Sequence, residues 1–163
     1  ITFFLSVILL TRSSTDQCPS GHNPCPQGWV LPKPTPSHPY PSCVPACPQG
    51  WVVHEAWCYY FSTAEANWTS SQSNCSSYGG SLTAIDTPSE MKFLLNKKEA
   101  TDYWIGLRRK EGQPWKWTNG SDFNSWFKIG ADGLCAYLND RNASSSWCTS
   151  EREWICRTPH LPA

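Results

Sequence analysis

Tyr103-Trp104-Ile105-Gly106-Leu107-Arg108-Arg109, followed shortly by Trp115-Lys116-Trp117-Thr118-Asn119-Gly120, combines aromatic and branched residues with turn formers. Such residues favour extended backbone, so Tyr103 to Leu107 and Trp115 to Trp117 are predicted as short strands. Ser81 to Ile85, Cys135 to Leu138 and Glu153 to Cys156 have the same character, with Gly, Asn and Asp clusters between them. From Asn119 to Gly133 no regular period survives. That stretch is predicted as a long loop packed by its own Phe123, Trp126, Phe127 and Ile129.

Upstream the pattern changes to helix. Ser62-x-x-Glu65 has the form of a capping box, and Ala64, Trp68 and Cys75 follow on one helical face. A second box, Thr87-Pro88-Ser89-Glu90, places proline at the first helical position, where its missing N–H costs nothing. Met91, Leu94 and Leu95 form the apolar stripe of this helix, and Lys97 and Lys98 suit its C-terminal dipole. Two helices followed by non-alternating strands predict an α+β fold.

The chain has 163 residues, with 13 Lys and Arg against 13 Asp and Glu, so no net charge draws it to nucleic acid or to an anionic membrane. Nine cysteines exceed what a reduced cytosolic domain usually carries. Neither a Cys-x-x-Cys nor a His-x-x-x-His spacing occurs, which weakens a zinc reading. Sequons at Asn67, Asn119 and Asn142 are candidate glycosylation sites in a secretory chain. A further sequon at Asn74 adjoins Cys75 and is expected to be poorly used.

Ile1 to Leu10 is almost wholly apolar. A helix of that length spans about 15 Å, half of a bilayer core. It reads as the C-terminal part of a truncated transmembrane anchor, with the core of a signal peptide or a buried strand as alternatives. Residues 11–46 form a Pro- and Cys-rich stalk. Pro19, Pro24, Pro26, Pro32, Pro34, Pro36, Pro39, Pro41 and Pro45 exclude helix and favour an extended spacer. Cys25 to Val30 repeats as Cys47 to Val52, both reading CPQGWV. Residues 31–52 are therefore either a small duplication or a stretch introduced by a mis-joined gene model. The domain proper is placed at residues 47–157, with residues 158–163 as a tail.

From Cys47 to Cys156 the chain resembles the C-type-lectin-like domain. CPQGW at Cys47, CYYF at Cys58, GGSLTAI at Gly79, WIGL at Trp104, WKWTNG at Trp115 and the closing Cys135, Cys148 and Cys156 carry the resemblance. YWIGLRR, GQPWKWTNG, CAYLND and REWIC point to the natural-killer-complex type. The resemblance implies two helices, two small antiparallel sheets and a long loop, stapled by Cys47–Cys58, Cys75–Cys156 and Cys135–Cys148. It also implies a type II plasma-membrane protein with its C-terminal domain outside the cell. The implied partner is a protein on another cell, namely a lectin-like receptor. Cys18, Cys25 and Cys43 are left over. Cys18 is the candidate inter-chain link of a homodimer, and an intrachain Cys18–Cys25 bridge is the alternative.

Sugar-binding members of this family hold calcium, which needs six to eight oxygen ligands, through a Glu-Pro-Asn or Gln-Pro-Asp motif and a Trp-Asn-Asp motif. Counted back from Cys148, the second motif falls on Ala143, Ser144 and Ser145, and the long loop holds only Asp132 as an acid after Phe123. No cofactor is expected, and calcium-independent glycan binding or a secreted lectin-like protein is the alternative function. No Gly-x-Ser-x-Gly, His-Glu-x-x-His or phosphate-binding glycine loop marks an enzyme. Glu151 and Glu153 read as alternate positions leading into a strand. Trp104, Trp115, Trp117 and Trp154 read as core. The candidate partner contacts are the basic run Arg108, Arg109 and Lys110, with Lys116 nearby, and the loop aromatics Trp126 and Trp147.

Overall fold

A computed structural model describes residues 29–30, 44–45 and 47–160. The chain divides into two units, Ile1–Pro45 and Ala46–Ala163. In the first, β1 (Trp29–Val30) pairs antiparallel with β2 (Val44–Pro45). The apolar segment and Cys18, Cys25 and Cys43 lie outside the described residues. Among the described residues no helix is long and apolar enough to cross a membrane.

The second unit carries β3 (Val52–His54), β4 (Trp57–Phe61), α1 (Trp68–Ser77), β5 (Ser81–Leu82), α2 (Pro88–Lys97), β6 (Tyr103–Arg108), β7 (Lys116–Trp117), β8 (Ile129–Gly130), β9 (Cys135–Leu138), β10 (Ala143–Ser146) and β11 (Glu153–Pro159). Its sheet runs β3-β4-β11-β6-β9-β10-β8, with β5 on β11 and β7 on β6. The expectation of two antiparallel sheets needs correction. β11 pairs antiparallel with β4 and β5 through its C-terminal part, but parallel with β6 through Glu153 and Trp154. β10 pairs parallel with β8. One long strand thus joins what would otherwise be two patches. Each parallel contact involves two residue pairs, too short a pairing to leave a periodic signal.

The first helix starts later than Ser62-x-x-Glu65 predicts. Ser62 is buried, its Oγ accepts from the Trp154 N–H at 2.8 Å, and it donates to the Ala64 carbonyl. A hydroxyl tied to β11 is not available to cap a helix. Asn67 caps α1 instead, its Oδ1 accepting from the Ser70 N–H at 2.8 Å. The buried stripe is Trp68, Ser71 and Cys75, and Ala64 lies outside the helix. For α2 both arms of the Thr87–Glu90 box are present. Lys98 does more than face the dipole. Its buried ammonium donates to the Glu99 and Thr101 carbonyls and to Asp140 Oδ1.

Disulfides join Cys47 to Cys58, Cys75 to Cys156 and Cys135 to Cys148. The core has an aliphatic and aromatic part around Tyr59, Leu94, Ile105 and Ile155, and a second around Trp68, Trp104, Trp154 and the Cys75–Cys156 bridge. Trp104 donates its indole N–H to the Ala66 carbonyl, and Trp68 donates to that of Ile105. Two large rings thereby fill the core without leaving those indole donors unpaired.

Gly106 explains the glycine of WIGL. Its N–H donates to the Thr83 carbonyl at 2.8 Å. A Cβ there would stand 2.5 Å from the Leu82 carbonyl oxygen and 3.0 Å from that of Thr83. Both are backbone atoms that cannot turn aside. Gly106→Ala should therefore cost about 1–3 kcal/mol, the range for overpacking. Chemical denaturation of the secreted domain reads this loss, and an unchanged midpoint contradicts the close approach.

Candidate recognition surface

β6 leaves the core at Arg108, where its register against β9 shifts. Arg108 is exposed, with its guanidinium 5.4 Å from the Trp68 ring centroid. Arg109 is half-buried and committed. Its Nε–H donates to the Gly133 carbonyl at 2.9 Å, and its guanidinium lies 4.6 Å from the Trp115 centroid. Lys110 is exposed at the start of the turn towards β7, where the Gln113 N–H donates to its carbonyl. Lys116 pairs with Asp122 at 2.6 Å in solvent, an arrangement worth little to stability.

These residues border an open cleft of about 890 Å³ whose floor includes Trp68 and Trp117 and whose rim includes Arg108, Lys110, Lys116 and Gly120. Among the described residues neither Arg108 nor Lys110 has a carboxylate partner. The cleft thus presents Arg108 over the Trp68 face and Lys110 beside it, with Glu111 the acid of the same lining, so cations outnumber carboxylates there, a balance suited to an acidic contact.

The two loop tryptophans separate. Trp126 turns inward. Its indole N–H donates to the Ile85 carbonyl at 3.3 Å and its ring packs edge-on against Phe127 at 4.7 Å. Phe123, Phe127 and Ile129 pack against the same core, so Trp126 anchors the loop rather than offering a contact. Trp147 is the opposite case, 79% exposed beside a hollow of about 350 Å³ lined by Asp132, Gly133, Leu134, Ser145 and Ser146. An exposed tryptophan on a disulfide-anchored strand end is a suitable binding anchor.

The residues at the Trp-Asn-Asp positions do not fit calcium. Ala143, Ser144 and Ser145 form part of β10. The Ser145 hydroxyl is buried, donates to the Gly130 carbonyl at 2.8 Å and accepts from the Gly133 N–H at 2.9 Å. It ties the long loop to the sheet, with both bonds internal. No carboxylate stands at these positions, and calcium sites draw heavily on carboxylates.

Asn119 and Asn142 are exposed and Asn67 is half-buried. The cap made by Asn67 uses its carbonyl oxygen, which N-glycosylation leaves in place. Asn142 lies in the turn between β9 and β10, where its N–H donates to Asn139 Oδ1. Of the two glutamates near β11, Glu153 accepts from the Thr101 hydroxyl at 2.9 Å and Glu151 is exposed. Sequence reasoning overlooked Arg152 and Arg157. Arg152 stacks 3.9 Å from the Tyr137 centroid, pairs with Asp102 and donates to Ser146 Oγ. Arg157 lies 3.7 Å from the Trp57 centroid and pairs with Asp86 and Glu90. Both lie in the stretch around REWIC, but nothing local to it names their partners.

A family model described as Lectin C-type domain matches residues 64–158. Human C-type lectin domain family 2 member D is 50% identical over 99 residues, covering 61% of this chain and 52% of that protein. Human early activation antigen CD69 is 36% identical over 140 residues, covering 86% of this chain and 68% of that protein. This chain therefore spans about half the length of the first relative. Among solved structures, the mouse scavenger receptor C-type lectin carbohydrate-recognition domain superposes with a TM-score of 0.64 at 23% identity. It covers 72% of this chain and 99% of that one, a likeness of fold.

Proposed function

The chain belongs to the C-type lectin domain family, and we propose that it serves as the extracellular recognition domain of an anchored surface protein that binds a protein partner without calcium. Ser145 carries this reading. Where a calcium-dependent lectin would place a ligand, this chain places a buried hydroxyl whose hydrogen bonds hold its own loop. The partner is a protein on another cell, of the lectin-like receptor class. Arg108, Lys110 and Trp147 supply its contacts, and Arg109 holds the cleft wall. Similarity to human C-type lectin domain family 2 member D and to early activation antigen CD69 supports a role in recognition rather than catalysis.

A glycan array probed with calcium and again with EDTA tests this. We expect weak signals that EDTA leaves unchanged. Strong EDTA-sensitive binding to simple sugars would overturn the reading.

In the proposed whole protein, residues 1–10 belong to the anchor, residues 11–46 form the stalk and residues 47–157 form the recognition domain. Cys18 links two chains. A symmetric pair doubles a weak site and raises avidity for a clustered partner. On non-reducing electrophoresis the ectodomain should run as a dimer and the Cys18→Ser variant as a monomer. A dimer that persists in the variant places the link elsewhere.

A further inference from the structure

Resting on the reading of the basic cleft as a contact surface, we propose that an acidic glycan on Asn119 lies across the cleft and limits access to it. Asn119-Gly120-Ser121 is a sequon, and its neighbours on both sides, Thr118 and Gly120, line the cleft. The turn is firmly held. Gly120 N–H donates to the Trp117 carbonyl at 2.9 Å, and Trp117 N–H donates to that of Ser121 at 3.0 Å. Gly120 adopts φ +85°, a conformation that suits glycine.

The side chain uses its oxygen alone. Asn119 Oδ1 accepts from the Ser121 N–H at 2.9 Å and from its hydroxyl at 2.6 Å. Among the described residues its amide nitrogen has no partner. That nitrogen is the one that N-glycosylation uses. It displaces a pyrophosphate-linked lipid carrier from the anomeric carbon of an oligosaccharide. The C–O bond breaks, the N–C bond forms and the nitrogen loses one proton, with no change of oxidation state.

Once attached at the rim, the glycan has complementary charge to meet. Arg108 and Lys110 are exposed cations without carboxylate partners among the described residues, and terminal sialic acids are anions. The arrangement makes the glycan a tethered competitor for any acidic partner, at the high effective concentration that tethering confers. Asn142 offers the contrast, because neither it nor its neighbours Arg141 and Ala143 border the cleft.

The test uses the full ectodomain from sialylating cells and dextran sulfate as the polyanion probe. Asn119→Gln and Ser121→Ala each remove this glycan by a different residue. Asn142→Gln removes a glycan elsewhere. Both Asn119-site variants should bind the probe several-fold more tightly than wild type, with a much smaller change for Asn142→Gln. Equal gains at the two sites, or an unmodified Asn119 by mass spectrometry of the wild-type peptide, would overturn the inference. In the Asn119→Gln background, Arg108→Ala with Lys110→Ala should cancel the gain. If that pair leaves probe binding unchanged, the cleft is not the contact surface and both readings fall together.

Discussion

Glu90→Ala should lower the stability of the domain by about 2–4 kcal/mol, the cost of stranding the Tyr59 hydroxyl and two backbone donors and of leaving Arg157 with Asp86 alone. The Glu90 side chain is 2% exposed and that of Arg157 is 11% exposed, so solvent screens the pair little. Glu90 Oε1 accepts from Arg157 at 3.0 Å and from the Tyr59 hydroxyl at 2.5 Å. Its Oε2 accepts from the backbone N–H groups of Asp86 and Thr87 at 2.7 and 3.1 Å. One carboxylate therefore joins β4, the entry to α2 and β11. Truncation strands the donors of β4 and of the α2 entry, while Arg157 on β11 retains Asp86.

Tyr59→Phe should cost about 1 kcal/mol, since Glu90 keeps its other donors. Burial pushes the Tyr59 phenol well above its ordinary value, and the hydrogen bond to Glu90 adds to that rise. The folded form thus favours the neutral phenol. Its contribution is complete below the ordinary tyrosine pKa, about 10, and falls as pH rises beyond it. Urea midpoints for the three proteins, measured at neutral and at alkaline pH, read both effects. A Glu90→Ala loss no larger than that of Tyr59→Phe contradicts the account of this network.

Removing the Cys75–Cys156 bridge should be comparably severe. The bridge closes a sequence separation of 81 and ties α1 to β11, with both residues 0% exposed. Loop-closure entropy for a loop of this size amounts to about 4 kcal/mol. The double variant Cys75→Ala with Cys156→Ala avoids a single unpaired thiol that could pair with another cysteine of the chain. It should reach the medium at a small fraction of the wild-type yield, and what is secreted should melt well below wild type. Normal yield with unchanged melting would mean that the buried bridge is dispensable.

The second helix was legible because both partners of its cap are local, Thr87 and Glu90 three residues apart. The first box misled because Ser62 finds its partner across the fold, at Trp154. β10 was invisible from propensity. Ala-Ser-Ser-Ser favours no strand, yet β9 supplies four residue pairs to it, which outweigh the local preference. At the candidate surface the basic run could be read directly, but its division could not. Arg108 and Lys110 face solvent, and Arg109 between them is held by Gly133 on the long loop. Trp126 and Trp147 occupy similar loop contexts, and only tertiary packing decides that the first anchors the loop and the second faces solvent.

Staining of candidate partner cells with the soluble ectodomain, in calcium and again in EDTA, measures calcium-independent protein recognition most directly. Staining should be equal in both buffers, disappear when the cells are treated with protease, and fall strongly for an Arg108→Ala, Lys110→Ala, Trp147→Ala variant of unchanged stability. Staining that is lost in EDTA, or that survives protease but not glycosidase, would contradict a protein partner bound without calcium.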